Sequence, residues 1–131
     1  LVEQYRLIQD ILFIDNCAKM PLAYKISNMV VNCSIEPESF GRVAIESQAM
    51  EKVIVASDIG GSKETIIDNK TGFVFKAGDA IALSDKLAHI FELNETTLKS
   101  MGIEGRKNVI KKFNVEKMCF STYSEYIKLI S

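Results

Sequence analysis

The sequence has 131 residues, which is the size of one compact domain and excludes a second full domain. Its 47% hydrophobic and 25% charged residues are typical of a globular protein and exclude intrinsic disorder. The 16 basic and 17 acidic residues are scattered and give a formal net charge of -1, which provides no electrostatic footprint for nucleic acid or an anionic membrane.

The cellular compartment is predicted from the absence of targeting signals and from the cysteines. No apolar run approaches the roughly 18 residues of a membrane span, and no basic start precedes an apolar stretch. We therefore expect a soluble, cytoplasmic protein, with peripheral association at the inner face of a membrane left open. Cys17, Cys33 and Cys119 lie far apart among apolar residues, which predicts buried free thiols in a reducing cytosol.

Because Leu1 is not Met, we expect the chain to begin inside a longer reading frame.

The first half of the chain alternates short β-branched apolar runs with helical segments, which predicts an α/β fold built of βαβ units around a parallel sheet. Residues 11–14, 29–33 and 53–56 are predicted strands, and their unbroken apolar character is typical of strands covered on both faces. Residues 21–27 are predicted to form a short helix with Pro21 near its first turn, and residues 41–50 a helix that begins after a loop.

The second half adds a weaker strand at residues 73–75 and then three helices. Asp79 is a suitable N-cap for the first of these helices, and Asn94 for a second that ends near residue 112, although Gly102 weakens it. The buried stripe of the first helix is predicted to be Leu83, Leu87, Ile90 and Phe91, and that of the second Leu98, Met101, Gly105 and Val109.

The last predicted helix spans residues 114–131. Its apolar face consists of Cys119, Tyr123, Tyr126, Ile127 and Ile130. An apolar helix face must be buried against another element, so we expect this face to pack either on its own domain or on another domain.

The segment at residues 34–46 has the position of a ligand site, because it follows a predicted central strand and leads into a helix. A helix N-terminus presents unpaired backbone N–H groups, which suit a diphosphate. Gly41 lets the backbone approach a ligand closely, and Arg42 and Val43 would occupy the first helical turn. We predict a phosphate site here.

Two carboxylates accompany this phosphate site. Glu38 lies in the loop and Glu46 further along the helix, so both can face one ligand. A carboxylate can accept from two neighbouring hydroxyls at once, which suits Glu46 to a ribose diol and Glu38 to sugar hydroxyls. Considered singly, each of these residues would be interpreted as an ordinary solvated charge, the usual fate of acidic side chains.

Taken together, residues 38–46 resemble the Glu-x7-Glu motif, written roughly EPFGxxxxE, of the family 4 retaining glycosyltransferases, with Phe40 and Gly41 at the matching places. Residues 57–66 resemble the S-D-x-G-G-x-x-E-x-I segment of the same family, and residues 69–74 its G-x-T-G-F-L turn. The resemblance extends from about residue 11 to residue 92, and three motifs in the correct order are more specific than any one of them.

The resemblance implies a Rossmann-like parallel sheet flanked by helices, namely the carboxy-terminal half of a two-domain GT-B glycosyltransferase without its first strand and Gly-rich loop. It implies that Glu46 binds the donor ribose and that Glu38 acts in catalysis by positioning the donor sugar. No metal or other cofactor is implied. The residues implied to contact the nucleotide sugar are Glu38, Ser39, Phe40, Gly41, Arg42, Val43 and Glu46. Gly60 and Gly61 would shape a loop beside the cleft, a plain strand-to-helix turn being an equally good interpretation.

Two parts of the family pattern have no counterpart in these residues. Members carry a Gly-rich turn followed by an Arg and a Lys that clamp the diphosphate, and here Arg6 and Lys19 are candidates by charge alone. The acceptor-binding amino-terminal domain is also absent. We therefore expect weak donor binding and no turnover by the isolated chain.

Three alternatives to a donor-binding domain stay open. The chain could be a non-catalytic subunit whose partner chain supplies the acceptor domain, with the apolar face of the last helix as its docking surface. An unrelated Rossmann-type oxidoreductase or small-molecule binder is disfavoured because no GxGxxG follows a strand. His89 is interpreted as a surface or half-buried helical residue rather than a catalytic base. A degraded remnant without function is the third alternative.

Overall fold

The computed structural model describes residues 1–130, in which three parallel strands form one sheet. In chain order the elements are α1 (Met20–Ile26), β1 (Met29–Asn32), α2 (Arg42–Ala49), β2 (Val53–Ser57), α3 (Ser62–Thr65), β3 (Phe73–Phe75), α4 (Ala80–Glu92), α5 (Glu95–Lys112) and α6 (Val115–Ile130). The sheet order is β1-β2-β3, with Val31 opposite Val55 and Ala56 opposite Val74. The predicted α/β fold is confirmed.

Helices cover both faces of the sheet, so β2 is buried along its whole length. On one face the core contains Val55 and Phe73 together with Ile90 of α4 and Met101 of α5. On the other face, Ile54 and its sheet neighbours pack against α2 and the segment that follows α3. An unbroken apolar run is required for a strand enclosed in this way, as the sequence predicted.

The predicted helix starts are confirmed by their caps. The Asp79 carboxylate accepts a hydrogen bond from the amide of Ala82 at 2.9 Å, and the Asn94 side chain accepts one from the amide of Thr97 at 2.8 Å. The predicted stripe of α4 is wrong at its last position, because Phe91 is 76% exposed. Phe91 follows the fully packed Ile90 directly, and one residue turns a helix by about 100°, which directs its ring away from the sheet.

The glycines of α5 have a packing role: Gly105 lies on the predicted buried stripe, whereas the burial of Gly102 was not predicted from the sequence. A Cβ added to Gly102 would lie 2.2 Å from the carbonyl oxygen of Glu51, and one added to Gly105 would lie 3.1 Å from Cγ of Gln48. These glycines therefore let α5 approach the end of α2 closely. Their cost in helix propensity is offset by that approach.

Gly102→Ala is expected to lower the free energy of unfolding by about 1–3 kcal/mol, because the new Cβ would overlap a backbone oxygen that cannot rotate away. Denaturant unfolding followed by circular dichroism measures the change. Ser100→Ala, at an exposed position of the same helix, is the matched control and should be neutral or slightly stabilising. A Gly102→Ala chain as stable as the control variant would contradict the packing role.

Two further predictions are wrong, one about residues 11–14 and one about the burial of the cysteines. Residues 11–14 are not a strand: the side chains of Leu12 and Phe13 are 82% and 80% exposed, and no ladder joins them to β1 within residues 1–130. A strand needs a hydrogen-bonded neighbour, which an apolar run cannot by itself supply. The cysteines are free as predicted, but Cys33 and Cys119 are exposed and Cys17 is half-buried, because the segments that carry them are not covered by other elements.

The terminal helix α6 contributes no buried residue to the domain. Tyr123, Tyr126 and Ile130 are 62%, 63% and 81% exposed, so these three residues of the predicted apolar face are not buried by the described part of the chain. Residue 131, which the prediction included in this helix, lies outside the described residues. Across residues 1–130 we find no helix that combines the length and the apolar character of a membrane span.

Candidate functional site

The segment that the sequence singled out connects β1 to α2. Gly41 is the N-cap of α2 and adopts φ +70°, a left-handed conformation that favours glycine. No side chain caps this helix, so the amides of its first turn at Arg42 and Val43 are not taken by a capping group. The helix therefore begins with free donors at the carboxyl end of the parallel strands, where ligands of α/β sheets bind.

Glu46 projects from the second turn of α2 and is held on both of its oxygens. The Tyr24 hydroxyl donates to Oε2 at 3.0 Å, and Arg42 donates to Oε1 from Nε at 3.1 Å and from Nη2 at 2.9 Å. Burial of Tyr24, reinforced by its hydrogen bond to the Glu46 carboxylate and by the negative charge of that group, raises the pKa of Tyr24 to about 12. Tyr24 is therefore a protonated donor at neutral pH.

Glu38 is anchored to the ends of two strands. Its Oε1 lies 2.7 Å from the Ser34 hydroxyl and 3.5 Å from Nδ2 of Asn32, the last residue of β1. The Ser34 carbonyl in turn accepts a hydrogen bond from the hydroxyl of Ser57, the last residue of β2, at 2.7 Å. Only one oxygen of the carboxylate is used in these contacts, which leaves the other one available to a ligand.

Gly60 and Gly61 lie directly against the backbone of the Glu38 loop. The Gly61 amide donates to the Glu38 carbonyl at 3.1 Å. A Cβ added to Gly60 would lie 2.4 Å from that carbonyl oxygen, and one added to Gly61 would lie 2.3 Å from the carbonyl oxygen of Phe40. These two glycines therefore let the loop after β2 support the loop after β1.

Gly61→Ala is expected to displace the Glu38 loop and to lower the free energy of unfolding by about 1–3 kcal/mol, because its φ of -62° suits alanine but its added Cβ meets the Phe40 carbonyl. Amide chemical shifts of residues 38–41 measure the displacement. Lys63→Ala, two residues later and exposed, serves as the control. Unchanged shifts at residues 38–41 would show that the two loops do not depend on each other.

A cavity of about 490 Å³ lies between α1 and α2, beside Glu46. Its lining is largely apolar: Ala18, Met20, Pro21, Tyr24, Arg42, Glu46, Ala49 and Met50. A second cavity of about 480 Å³ lies beside Phe40 at the start of α6. There the Phe40 ring contacts Phe113 edge to face, with ring centroids 6.0 Å apart. The site is therefore flanked by one cavity on the Glu46 side and one on the Phe40 side.

The remaining sequence candidates lie away from this cluster. His89 is exposed on α4, where its ring contacts Phe73 at 6.0 Å, as expected for a surface helical residue. Arg6 and Lys19 are exposed, and neither makes a hydrogen bond or ion pair with Glu38 or Glu46 among the described residues. Sequence reasoning missed Tyr24 and Ser34 as partners of these carboxylates; the Tyr24 contact spans 22 residues, so no local pattern could have indicated it.

A parallel sheet whose strand ends carry a glycine-started helix and two anchored carboxylates defines an α/β domain with a candidate ligand site at the carboxyl ends of its strands. Residues 1–108 match the family model described as Glycosyl transferases group 1, and the chain belongs to that family. It corresponds to a carboxy-terminal-like segment of these enzymes, and its structural neighbours have the GT-B fold.

Relatives and solved structures agree with this assignment. The capsular polysaccharide biosynthesis glycosyltransferase CapM of Staphylococcus aureus is 31% identical over 94 residues, which are 70% of this chain and 24% of CapM. A glycosyltransferase structure from Rickettsia africae superimposes with a TM-score of 0.91 at 34% identity, over 99% of this chain and 35% of that one.

HepE from Anabaena, solved in complex with UDP and glucose, superimposes with a TM-score of 0.86 over 95% of this chain and 34% of its own. At 20% identity this likeness shows the fold alone. The match covers 24% of the length of CapM and 34% of the length of EpsD of Bacillus subtilis, so the chain spans about a quarter to a third of these curated relatives.

Proposed function

We propose that this chain is the donor-binding domain of a retaining glycosyltransferase, which transfers a sugar from a nucleotide sugar to a glycan or lipid-linked acceptor. One observation carries the proposal: the uncapped N-terminus of α2 lies in the chain between two carboxylates, Glu38 and Glu46, that are each fixed by neighbouring side chains. The arrangement offers donors for a diphosphate and acceptors for the hydroxyls on either side of it.

Each part of the donor has a proposed place. The diphosphate binds the first-turn amides of Arg42 and Val43, the ribose binds Glu46, and the transferred sugar binds Glu38 with contacts from Ser39 and Phe40. The nucleobase enters the cavity of about 490 Å³ that Glu46 lines. HepE, which shares this fold over 95% of the chain, was solved with UDP and glucose, which are ligands of the class proposed here.

The proposed chemistry is electrostatic. As the bond to the donor sugar breaks, negative charge develops on the leaving diphosphate and positive charge on the sugar. The oriented amides of α2 stabilise the negative charge on the diphosphate. The Glu38 carboxylate accepts hydrogen bonds from the sugar hydroxyls, and these bonds strengthen as positive charge grows on the sugar. We propose that no metal is needed, so EDTA should leave transfer unchanged.

The acceptor site is proposed to lie outside these residues, in the amino-terminal domain of a longer protein or in a partner chain. We propose a cytoplasmic location, at the inner face of the membrane where the acceptor is lipid-linked. A non-catalytic binding subunit is the second candidate, and it is favoured by the exposure of Tyr123, Tyr126 and Ile130 on α6, which a partner chain could cover.

The experiment that tests the proposed function uses the full-length protein that contains this domain and a panel of nucleotide sugars. Proton NMR of the first product formed reports its anomeric configuration. An α-linked donor should give an α-linked product. A product of inverted configuration would refute retention. Sugar transfer that occurs only when a second purified chain is added would favour the binding-subunit alternative.

A further inference from the structure

The Glu46 carboxylate is held by two partners of very different rigidity. Arg42 lies one helical turn before it, and the Arg42 side chain is 83% exposed. Exposed pairs at this spacing contribute little, because water screens the charges and the long side chain must be ordered. Tyr24 reaches the carboxylate from α1, a separate element, and is only 4% exposed. The buried Tyr24 side chain is therefore the more constrained of the two partners of Glu46.

The hydrogen bond from Tyr24 leaves the carboxylate able to bind a diol. A tyrosine hydroxyl donates one hydrogen, and each carboxylate oxygen has two lone pairs. Tyr24 uses one acceptor position of Oε2 and leaves the other free, whereas the two hydrogen bonds from Arg42 use both positions of Oε1. The second hydroxyl of a diol therefore takes the place of the exposed Arg42 side chain on Oε1. Because burial holds the pKa of Tyr24 at about 12, this hydroxyl remains a donor at any working pH.

We propose that Tyr24 is a positioning residue that fixes the rotation of the Glu46 carboxylate, so that Oε2 and the Oε1 vacated by the exposed Arg42 side chain meet the 2′- and 3′-hydroxyls of the donor ribose together. The inference rests on the proposed function, since it assumes that Glu46 binds ribose. Its basis is preorganisation: a carboxylate already held in the bound orientation loses less rotational freedom when the diol binds. Tyr24 also lines the cavity beside Glu46, so its ring borders the same ligand.

The test compares the binding of a ribonucleotide and its deoxy counterpart to the wild-type chain and to Tyr24→Phe, which keeps the ring and removes only the hydroxyl. UDP, GDP and ADP are each titrated by NMR, and the nucleotide that binds most tightly is compared with its 2′-deoxy form. We expect Tyr24→Phe to weaken binding of the ribonucleotide about 5- to 20-fold and of the deoxynucleotide less than about twofold. The preference for ribose over deoxyribose should therefore fall.

Tyr123→Phe, which removes the same group from an exposed tyrosine of α6, is the matched control and should leave both affinities unchanged. A purely structural role of Tyr24 would weaken the binding of the ribonucleotide and of the deoxynucleotide equally. If the ratio of these two affinities is the same in Tyr24→Phe and wild type, the positioning role is overturned while the proposed function stands. Failure of the wild-type chain to bind any of the three nucleotides overturns both. Thermal unfolding of each variant shows whether the fold is retained.

Discussion

Glu38→Gln in the full-length protein that contains this domain is expected to lower kcat for sugar transfer by about 10²-fold while changing KM for the donor by less than about threefold. The amide has the shape of the carboxylate but lacks the charge that holds the donor sugar as positive charge develops on it. Binding of the nucleotide part depends on Glu46 and the α2 amides, and these groups are untouched. Steady-state kinetics with varied donor separates the two constants.

The matched control for this change is Glu36→Gln, which removes one charge from the same exposed loop two residues earlier. Its kinetic constants should remain within about twofold of wild type, because a surface charge of this kind contributes little. A Glu38→Gln enzyme whose kcat stays within about threefold of wild type would contradict the role given to Glu38, since removing a group that acts in the transition state lowers kcat.

Glu46→Ala is expected to produce the opposite kinetic pattern, with KM for the donor raised by about 10²-fold and kcat changed much less. The substitution removes two hydrogen bonds to a charged acceptor, each of which contributes roughly 1.5–3 kcal/mol. These bonds go to the ribose, which does not react, so they are made equally in the ground state and the transition state.

Calorimetric titration of the full-length variant with nucleoside diphosphate gives the affinity directly. Glu92→Ala, at the exposed end of α4, is the control. The buried Tyr24 hydroxyl loses its acceptor in Glu46→Ala, so the unfolding midpoint of the variant must also be measured to separate lost binding from lost stability. A dissociation constant within about threefold of wild type in a folded variant would contradict ribose binding by Glu46.

The parts of the fold that the sequence predicted are those fixed by local chemistry. The strand at Val53–Ser57 is enclosed on both faces and had to be apolar throughout, while Asp79 and Asn94 cap helices through contacts three residues away. Residues 11–14 have equally apolar character, yet whether such a run pairs depends on a neighbouring strand edge, which its own sequence does not encode.

The sequence predicted which residues form the candidate site but not the contacts that hold them in place. Its residues were found because Glu38, Gly41 and Glu46 lie close together in the chain. The groups that hold them come from elsewhere: Tyr24 lies on α1, Ser57 at the end of β2, and Gly61 at the start of α3. Contacts of this kind are set by packing between elements, for which hydrophobic period and capping give no signal.

The central claim, that the segment from Glu38 to Glu46 holds the donor nucleotide, is tested most directly by a two-dimensional NMR titration of the 131-residue chain with nucleoside diphosphates up to millimolar concentration. We expect shifts centred on the amides of residues 38–46 and on the supporting Gly60 and Gly61, and we expect these shifts to disappear in Glu46→Ala. Shifts centred on another surface, or the same shifts in Glu46→Ala, would contradict it.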